Sequence, residues 1–159
     1  MVLVRETVSG DLQALRGIRL EALKTAPYAF GSTYEREAAF GEPDWLRRIA
    51  RGGNFLAYLP GGGEPAGLIG GYPETADVVE LVSMYVRPEA RGRGVGEALV
   101  AAVFGWAQDR GAKTVHLWVT ESNHHARALY QRCGFEPTGE RQPLPSDPDM
   151  DEIAMARPL

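Results

Sequence analysis

The stretch RPEARGRGVGE, residues 87–97, sets Arg87, Arg91 and Arg93 beside Gly92, Gly94 and Gly96. From Val95 within it, Ala98, Leu99, Ala102, Val103 and Trp106 follow at helical spacing, so the run opens a helix. A helix start carries unpaired N–H groups and partial positive charge. Glycines let a ligand approach that backbone closely. Together these features make an anion site suited to phosphate. A P-loop requires Lys-Ser or Lys-Thr after its last glycine, and a dinucleotide fingerprint requires GxGxxG. The chain has neither, since the run from Gly92 reads GxGxG. Two readings stay open at this level, a phosphate cradle and a plain turn with solvated arginines. A nucleotide-binding module is disfavoured by the incomplete fingerprints.

The cradle needs a strand before it, and residues 78–86 supply the longest strand pattern in the chain, with Glu80 inside it. Upstream, residues 2–8 alternate as a strand, and Ser9 or Asp11 caps a helix built on Leu12, Leu15, Ile18, Leu20, Ala22 and Leu23. Residues 25–40 read as irregular, and residues 42–50 as a short helix with Pro43 in its first turn. Strands over 54–59 and 66–72 form a hairpin around the GGGEP turn. Downstream, the helix over 94–110 ends at Gly111 in a left-handed cap, followed by a strand over 114–119. A helix over 123–133 stops at Gly134, a strand begins at 135–138, residues 142–151 form a long Pro- and Asp-rich loop, and 153–156 is a last strand. The order β-α-α-β-β-β-α-β-α-β-β, with one strand–helix–strand crossover, predicts an α+β fold with helices on both faces of a sheet.

A chain of 159 residues with 44% hydrophobic and 24% charged residues predicts one globular domain over 1–159. The formal net charge of −4 argues against a general nucleic-acid binder. A single cysteine, Cys133, excludes an internal disulfide and a cysteine-based metal centre, and no metal is expected. No apolar run approaches the ~18 residues of a membrane span. The N-terminal residues are too polar for a signal peptide, so a cytoplasmic location is expected.

Two motifs, in order and on the expected elements, carry a resemblance. Arg91-x-x-Gly94-x-Gly96, within ELVSMYVRPEARGRGVGEAL, resembles the pyrophosphate-binding motif of the GNAT superfamily of N-acetyltransferases. Asn123-x-x-Ala126-x-x-Leu129-Tyr130, then Cys133-Gly134-Phe135, is similar to that family's second motif. The resemblance implies a mixed, mostly antiparallel sheet of about seven strands with about four helices, and acetyl-CoA as acyl donor. It implies that the backbone of Met84, Tyr85 and Val86 binds the pantetheine arm like an added strand. It implies that Arg91, Gly92, Arg93, Gly94, Val95, Gly96 and Glu97 hold the pyrophosphate, and that Asn123 contacts the cofactor arm or caps its helix. Tyr130 is the implied acid for the departing thiolate, against the alternative of an ordinary core aromatic. Glu80 is the implied base for the acceptor amine, against the alternative of a structural carboxylate. Glu121 is a lesser rival as base. His124 and His125 are expected to face solvent, His116 to be structural and Cys133 to be buried.

The acceptor implied by the resemblance is a primary amine on a small molecule or peptide, attacked directly in a ternary complex. The implied groove draws on Tyr28, Phe30, Tyr34, Phe40 and Trp45, with Asp147, Asp149, Asp151 and Glu152, though core aromatics and solvated loop carboxylates are the competing assignment. A different acyl-CoA or an idle CoA-binding module are the alternatives in function. Neither nucleic acid nor membrane is an expected partner, and a homodimer through the C-terminal strands is expected.

Overall fold

The computed structural model describes residues 1–159. The chain builds one seven-stranded sheet in the order β1-β2-β3-β4-β5-β7-β6. The strands are β1 (Leu3–Glu6), β2 (Asn54–Tyr58), β3 (Gly67–Pro73), β4 (Val78–Val86), β5 (Thr114–Thr120), β6 (Glu136–Leu144) and β7 (Asp147–Pro158). The helices are α1 (Leu12–Thr25), α2 (Tyr34–Ala38), α3 (Glu42–Arg51), α4 (Val95–Asp109) and α5 (His124–Arg132). Every neighbouring pair is antiparallel except β4 and β5, which run parallel and are joined through α4. Four main helices, one single-turn helix and this mixed sheet match the expected α+β architecture.

Two apolar layers sandwich the sheet. Val79 and Leu81 of β4 and Val115 and Leu117 of β5 pack with Leu99, Val100 and Val103 of α4. On the opposite face Leu56 of β2, Leu68 of β3 and Tyr85 of β4 pack with Leu15, Ile18 and Leu23 of α1 and Trp45 and Ile49 of α3. Alternation along the strands divides the side chains between the layers.

The C-terminal region differs from expectation. The stretch read as a loop over 142–151 belongs almost wholly to a hairpin, with Leu144 paired to Asp147 and Pro143 to Asp151. Proline disguised it. β6 is the edge of the sheet, where Pro137 and Pro143 break no ladder on their open side. Pro148 lies in the part of β7 beyond its last pair with β5, Thr120–Glu152. The stretch read as irregular over 25–40 contains α2, whose start is fixed by Thr33 Oγ1 accepting from the Arg36 N–H at 3.2 Å. Gly111 adopts φ +77°, the left-handed conformation expected after α4.

A charged group is buried under the α1–α3 layer. Glu37 of α2 is 1% exposed and receives both Nε and Nη2 of Arg19, each at 2.9 Å, and Nη1 of Arg48 at 3.1 Å. Burial alone raises the pKa of this carboxyl, but the hydrogen bonds and charge of Arg19, with the charge of Arg48, outweigh it and hold the group at about 2. The folded value lies below the ordinary 4.5. The linked stability is therefore complete above that ordinary value and is lost as pH falls toward 2. Chemical denaturation across pH 6 to 2 should show wild type losing about 2–3 kcal/mol more than Glu37→Gln over this range. At neutral pH the substitution itself should cost about 3–5 kcal/mol, because it leaves Arg19 buried beside a neutral amide.

Candidate functional site

Parallel pairing of β4 with β5 covers only Val78–Thr114 through Leu81–Leu117. Past that point the strands separate. The edge of β4 from Val82 to Val86 then faces a gap while its other edge stays bonded to β3. A cavity of about 750 Å³ opens along this edge. Met84, Tyr85 and Val86 line it from β4, with Gly92, Gly94, Val95, Gly96 and Glu97 at the start of α4. Asn123, His125, Ala126, Leu129 and Arg132 line it from α5 and its cap.

The cradle forms because α4 starts in an unusual way. Gly94, the N-cap, sits at φ +81° and Gly92 at φ +75°, a region that costs any residue with a Cβ. The first α4 bond runs from the Ala98 N–H to the Gly94 carbonyl, so the amides from Gly92 to Glu97 donate to no backbone carbonyl. A Cβ on Gly92 or Gly94 would meet no protein atom within 4 Å, so the space in front of those amides is open. Gly96 serves the wall in a second way. A Cβ there would lie 2.9 Å from Leu129 Cδ2, so its absence lets α5 close against α4 and complete the wall.

The arginines divide their tasks. Arg91 lines the cavity, and its Nε donates to the Val86 carbonyl at 3.3 Å. Arg87 turns away and pairs with Glu21 at 3.0 Å and Glu64 at 3.2 Å. Arg93 is solvent-exposed and is not part of the wall, unlike the other residues expected there. Arg132 of α5 stands at the mouth instead, 3.0 Å from Glu97. The Arg132 hydrogen bond holds the Glu97 carboxyl below the usual carboxylate range. Its negative charge beside the cradle is thereby offset.

Asn123 does both things weighed for it, since its Oδ1 accepts the Ala126 N–H at 3.3 Å and its side lines the cavity. His125 is exposed, as expected, and also borders the cavity. It shares the i, i+4, i+7 face with Leu129 and Arg132, a pattern legible in the sequence. His124 is exposed.

Tyr130 and Glu80 stand on opposite faces of the sheet. Tyr130 is 5% exposed within the α4–α5 layer, its ring 5.7 Å from that of Phe135, and it does not line the main cavity. Its hydroxyl is not among the enclosed polar atoms without a partner, which are in Thr7, Ser32, Trp45 and His116, and no hydrogen bond contributes to its titration. The phenol hydroxyl thus has no hydrogen-bond partner within the protein. Burial foremost, with Cys133 adding to it, pushes the phenol well above its usual range.

Glu80 alternates with Val79 and Leu81, and so faces the α1–α3 side. It stands in register between Tyr72 of β3 and His116 of β5. Burial first, then the charge of Glu74 and of Glu152, raises its carboxyl above the usual range, with His116 pulling the other way. The Nδ1 of His116 is enclosed without a partner, and its ring meets Trp118 edge-on at 5.6 Å. Glu152 is also raised by burial, against a hydrogen bond from Gln142 at 2.6 Å. Glu121 is tied up with Arg141, which also binds Asp151.

The expected groove aromatics separate. Trp45 is core, with Phe40 against it at 5.7 Å. Phe30 is buried and lines the main cavity. Tyr28 lines both that cavity and a second one of about 580 Å³, whose wall includes Lys24, Tyr34, Glu35, Ser146, Asp147 and Met150. Asp149 is exposed.

Comparison with known proteins agrees with this geometry. The model of the acetyltransferase (GNAT) family matches residues 17–135. An uncharacterized N-acetyltransferase of Methanocaldococcus jannaschii is 34% identical over 98 residues, 58% of this chain and 42% of that protein. A Bacillus subtilis relative named for alanine N-acetylation of ribosomal protein bS18 is 30% identical over 79 residues, 50% of this chain and 52% of that protein. The match thus spans about half the length of these relatives. Among solved structures, the Salmonella typhimurium protein yncA, solved with its cofactor acetyl-CoA, superposes with a TM-score of 0.80 at 18% identity. That superposition covers 100% of this chain and 94% of yncA.

Substitution at Gly94 separates the cradle from the fold. Gly94→Ala should destabilise the free protein by about 1–2 kcal/mol through φ alone, since its Cβ meets no protein atom. The same methyl enters the space before the amides, so acetyl-CoA affinity measured by calorimetry should fall at least ~10-fold, or 1.4 kcal/mol.

Proposed function

Because this chain belongs to the acetyltransferase (GNAT) family, we propose that it transfers an acetyl group from acetyl-CoA to a primary amine. One observation carries the reading: a single cavity joins the free amides at the start of α4 to the open edge of β4. The amides of Gly92 to Glu97, with Arg91, bind the pyrophosphate. The free edge at Met84 to Val86 pairs with the amide-bearing arm of the cofactor as a strand would. Asn123 borders the same arm. Acetyl-CoA, when bound, supplies an acyl group activated as a thioester.

The reaction is direct attack of the amine nitrogen on the thioester carbonyl in a ternary complex, forming the C–N bond and breaking the C–S bond. A lysine-like ammonium has a pKa near 10.4, so exposing the free amine at neutral pH costs about 4–5 kcal/mol. Glu80 accepts that proton, directly or through water. Its raised pKa makes it a better base than an ordinary carboxylate. Tyr130 delivers a proton to the departing sulfur. Its raised pKa keeps the phenol protonated at working pH, and its hydroxyl is committed to no other partner. An acetyl-cysteine route is disfavoured, because burial, then the charge of Glu97, pushes the Cys133 thiol up and away from thiolate. The acceptor approaches from the α1–α3 side, which Glu80 faces and where Tyr28 borders both cavities.

Thermal unfolding with acetyl-CoA, ATP and NAD in parallel tests the cofactor. Acetyl-CoA at about 100 times its Kd should add about 2.7 kcal/mol, raising Tm by about 5–10 °C. A response to ATP or NAD alone would overturn the reading.

Thiol release with an amine panel tests the two proton carriers. Tyr130→Phe should lower kcat by about 10²-fold or more at nearly unchanged Tm. Wild-type kcat/KM should fall on the acid side as Glu80 protonates, at a pH above the ordinary carboxylate range. Glu80→Gln should lower the rate and abolish that limb. Unchanged kinetics in either variant would remove that residue from the mechanism.

A further inference from the structure

Ser83 is the one non-glycine residue of the chain with positive φ, at +65°. It lies where the β3–β4 register slips. Leu68 pairs with Tyr85 and Gly70 with Val82, so Ser83 and Met84 together stand opposite Ile69. This is a β-bulge, and it comes two residues after the last β4–β5 pair, Leu81–Leu117. The bulge shifts the alternation of β4. Val79 and Leu81 face the α4 layer, whereas Tyr85 lies in the α1–α3 layer. Met84, its second residue, lines the cavity.

A serine at this φ is held there by its surroundings. Its side-chain contact is Arg19 of α1, whose Nη1 donates to Ser83 Oγ at 3.3 Å. Arg19 is 8% exposed. Its Nε and Nη2 are fixed by Glu37, and its guanidinium lies over the Phe30 ring at 5.0 Å. Phe30 lines the same cavity as Met84. The fork of Arg19 therefore has two prongs on α2, one on the bulge and a face on the cavity wall. A buried ion pair is a poor device for stability alone, because desolvation offsets its attraction. What it supplies here is direction, a donor locked in orientation and aimed at the strained residue.

We propose that Arg19 is a positioning residue, which through its hydrogen bond to Ser83 sets the β4 bulge and so the Met84 edge that receives the cofactor arm. The inference rests on the acetyl-CoA reading above. Lysine at 19 keeps a charge for Glu37 but cannot reach both Glu37 and Ser83 with a fixed fork. Glycine at 83 reaches φ +65° without penalty and needs no holding.

The test is a cycle of Arg19→Lys, Ser83→Gly and the double variant, measuring acetyl-CoA Kd by calorimetry and Tm on the same samples. Arg19→Lys should weaken acetyl-CoA about 10-fold and lower Tm. Ser83→Gly alone should weaken it less than about threefold. In the double variant Kd should return to within about threefold of wild type while Tm stays at the Arg19→Lys value. A Kd in the double variant no better than in Arg19→Lys overturns the proposal, as does an Arg19→Lys variant with lowered Tm and wild-type Kd. Arg19→Met, paired with Ser83→Gly in the same way, decides the matter if Arg19→Lys does not fold. Wild-type protein that fails to bind acetyl-CoA overturns the cofactor reading and this inference with it. Wild-type binding without coupling in the cycle overturns this inference alone.

Discussion

The structure turns on a hydrogen-bond ladder that stops early. β4 and β5 are parallel neighbours at the centre of the sheet, yet they share a register only from Val78 to Leu81. A central strand with one free edge presents polar groups that folding ordinarily satisfies. Here the β3 side of β4 stays paired as far as the Arg87 N–H bonded to the Ala66 carbonyl, while the β5 side is left for something else. The crossover from β4 to β5 then delivers the start of α4 to the mouth of that gap. Two sets of unsatisfied backbone donors, one from a strand edge and one from a helix end, thus border one cavity. Each is a cost to the free protein and a binding surface for a ligand rich in amides and phosphates.

Keeping the gap open requires order on both sides of the sheet. On one side, the absent side chain of Gly96 lets α5 pack on α4, so Leu129 and Arg132 extend the wall that Gly94 begins. On the other, α1, α2 and α3 converge on Glu37, and Arg19 carries that rigidity to Ser83. The two lobes differ in kind. The α4–α5 layer is almost wholly apolar, whereas the α1–α3 layer encloses a charged triad. An apolar layer fills space without specifying a donor direction. A charged one costs desolvation and in return fixes orientation.

Much of this was legible in the residues. The Gly/Arg run, the apolar face of α4 and the Asn123 cap depend on local spacing, and spacing is what a sequence displays. The β6–β7 hairpin was not, because Pro137, Pro143 and Pro148 signal a loop unless the strands are known to be at an edge or past a neighbour's end. α2 was hidden because its single turn depends on Thr33 capping it and on Glu37 meeting two arginines from other helices. The bulge at Ser83 was equally invisible. A serine in an alternating strand gives no sign of positive φ, which arises only from register against β3.

The placement of Tyr130 and Glu80, the proton carriers proposed above, follows from the same gap. Tyr130 belongs to the α4–α5 layer and Glu80 faces the α1–α3 side, so a continuous sheet would keep them apart. In the proposed reaction the thioester must be reached from both faces at once, by the amine from one and by the acid from the other. Only where β4 and β5 diverge does the sheet permit that. Each group is also raised by burial on its own side, Tyr130 more strongly than Glu80. A phenol that stays protonated and a carboxyl raised by burial suit a donor and an acceptor of protons respectively. In the proposed reaction the unpaired stretch of β4 therefore does two jobs: it supplies the binding edge, and it opens the partition between the proposed acid and base.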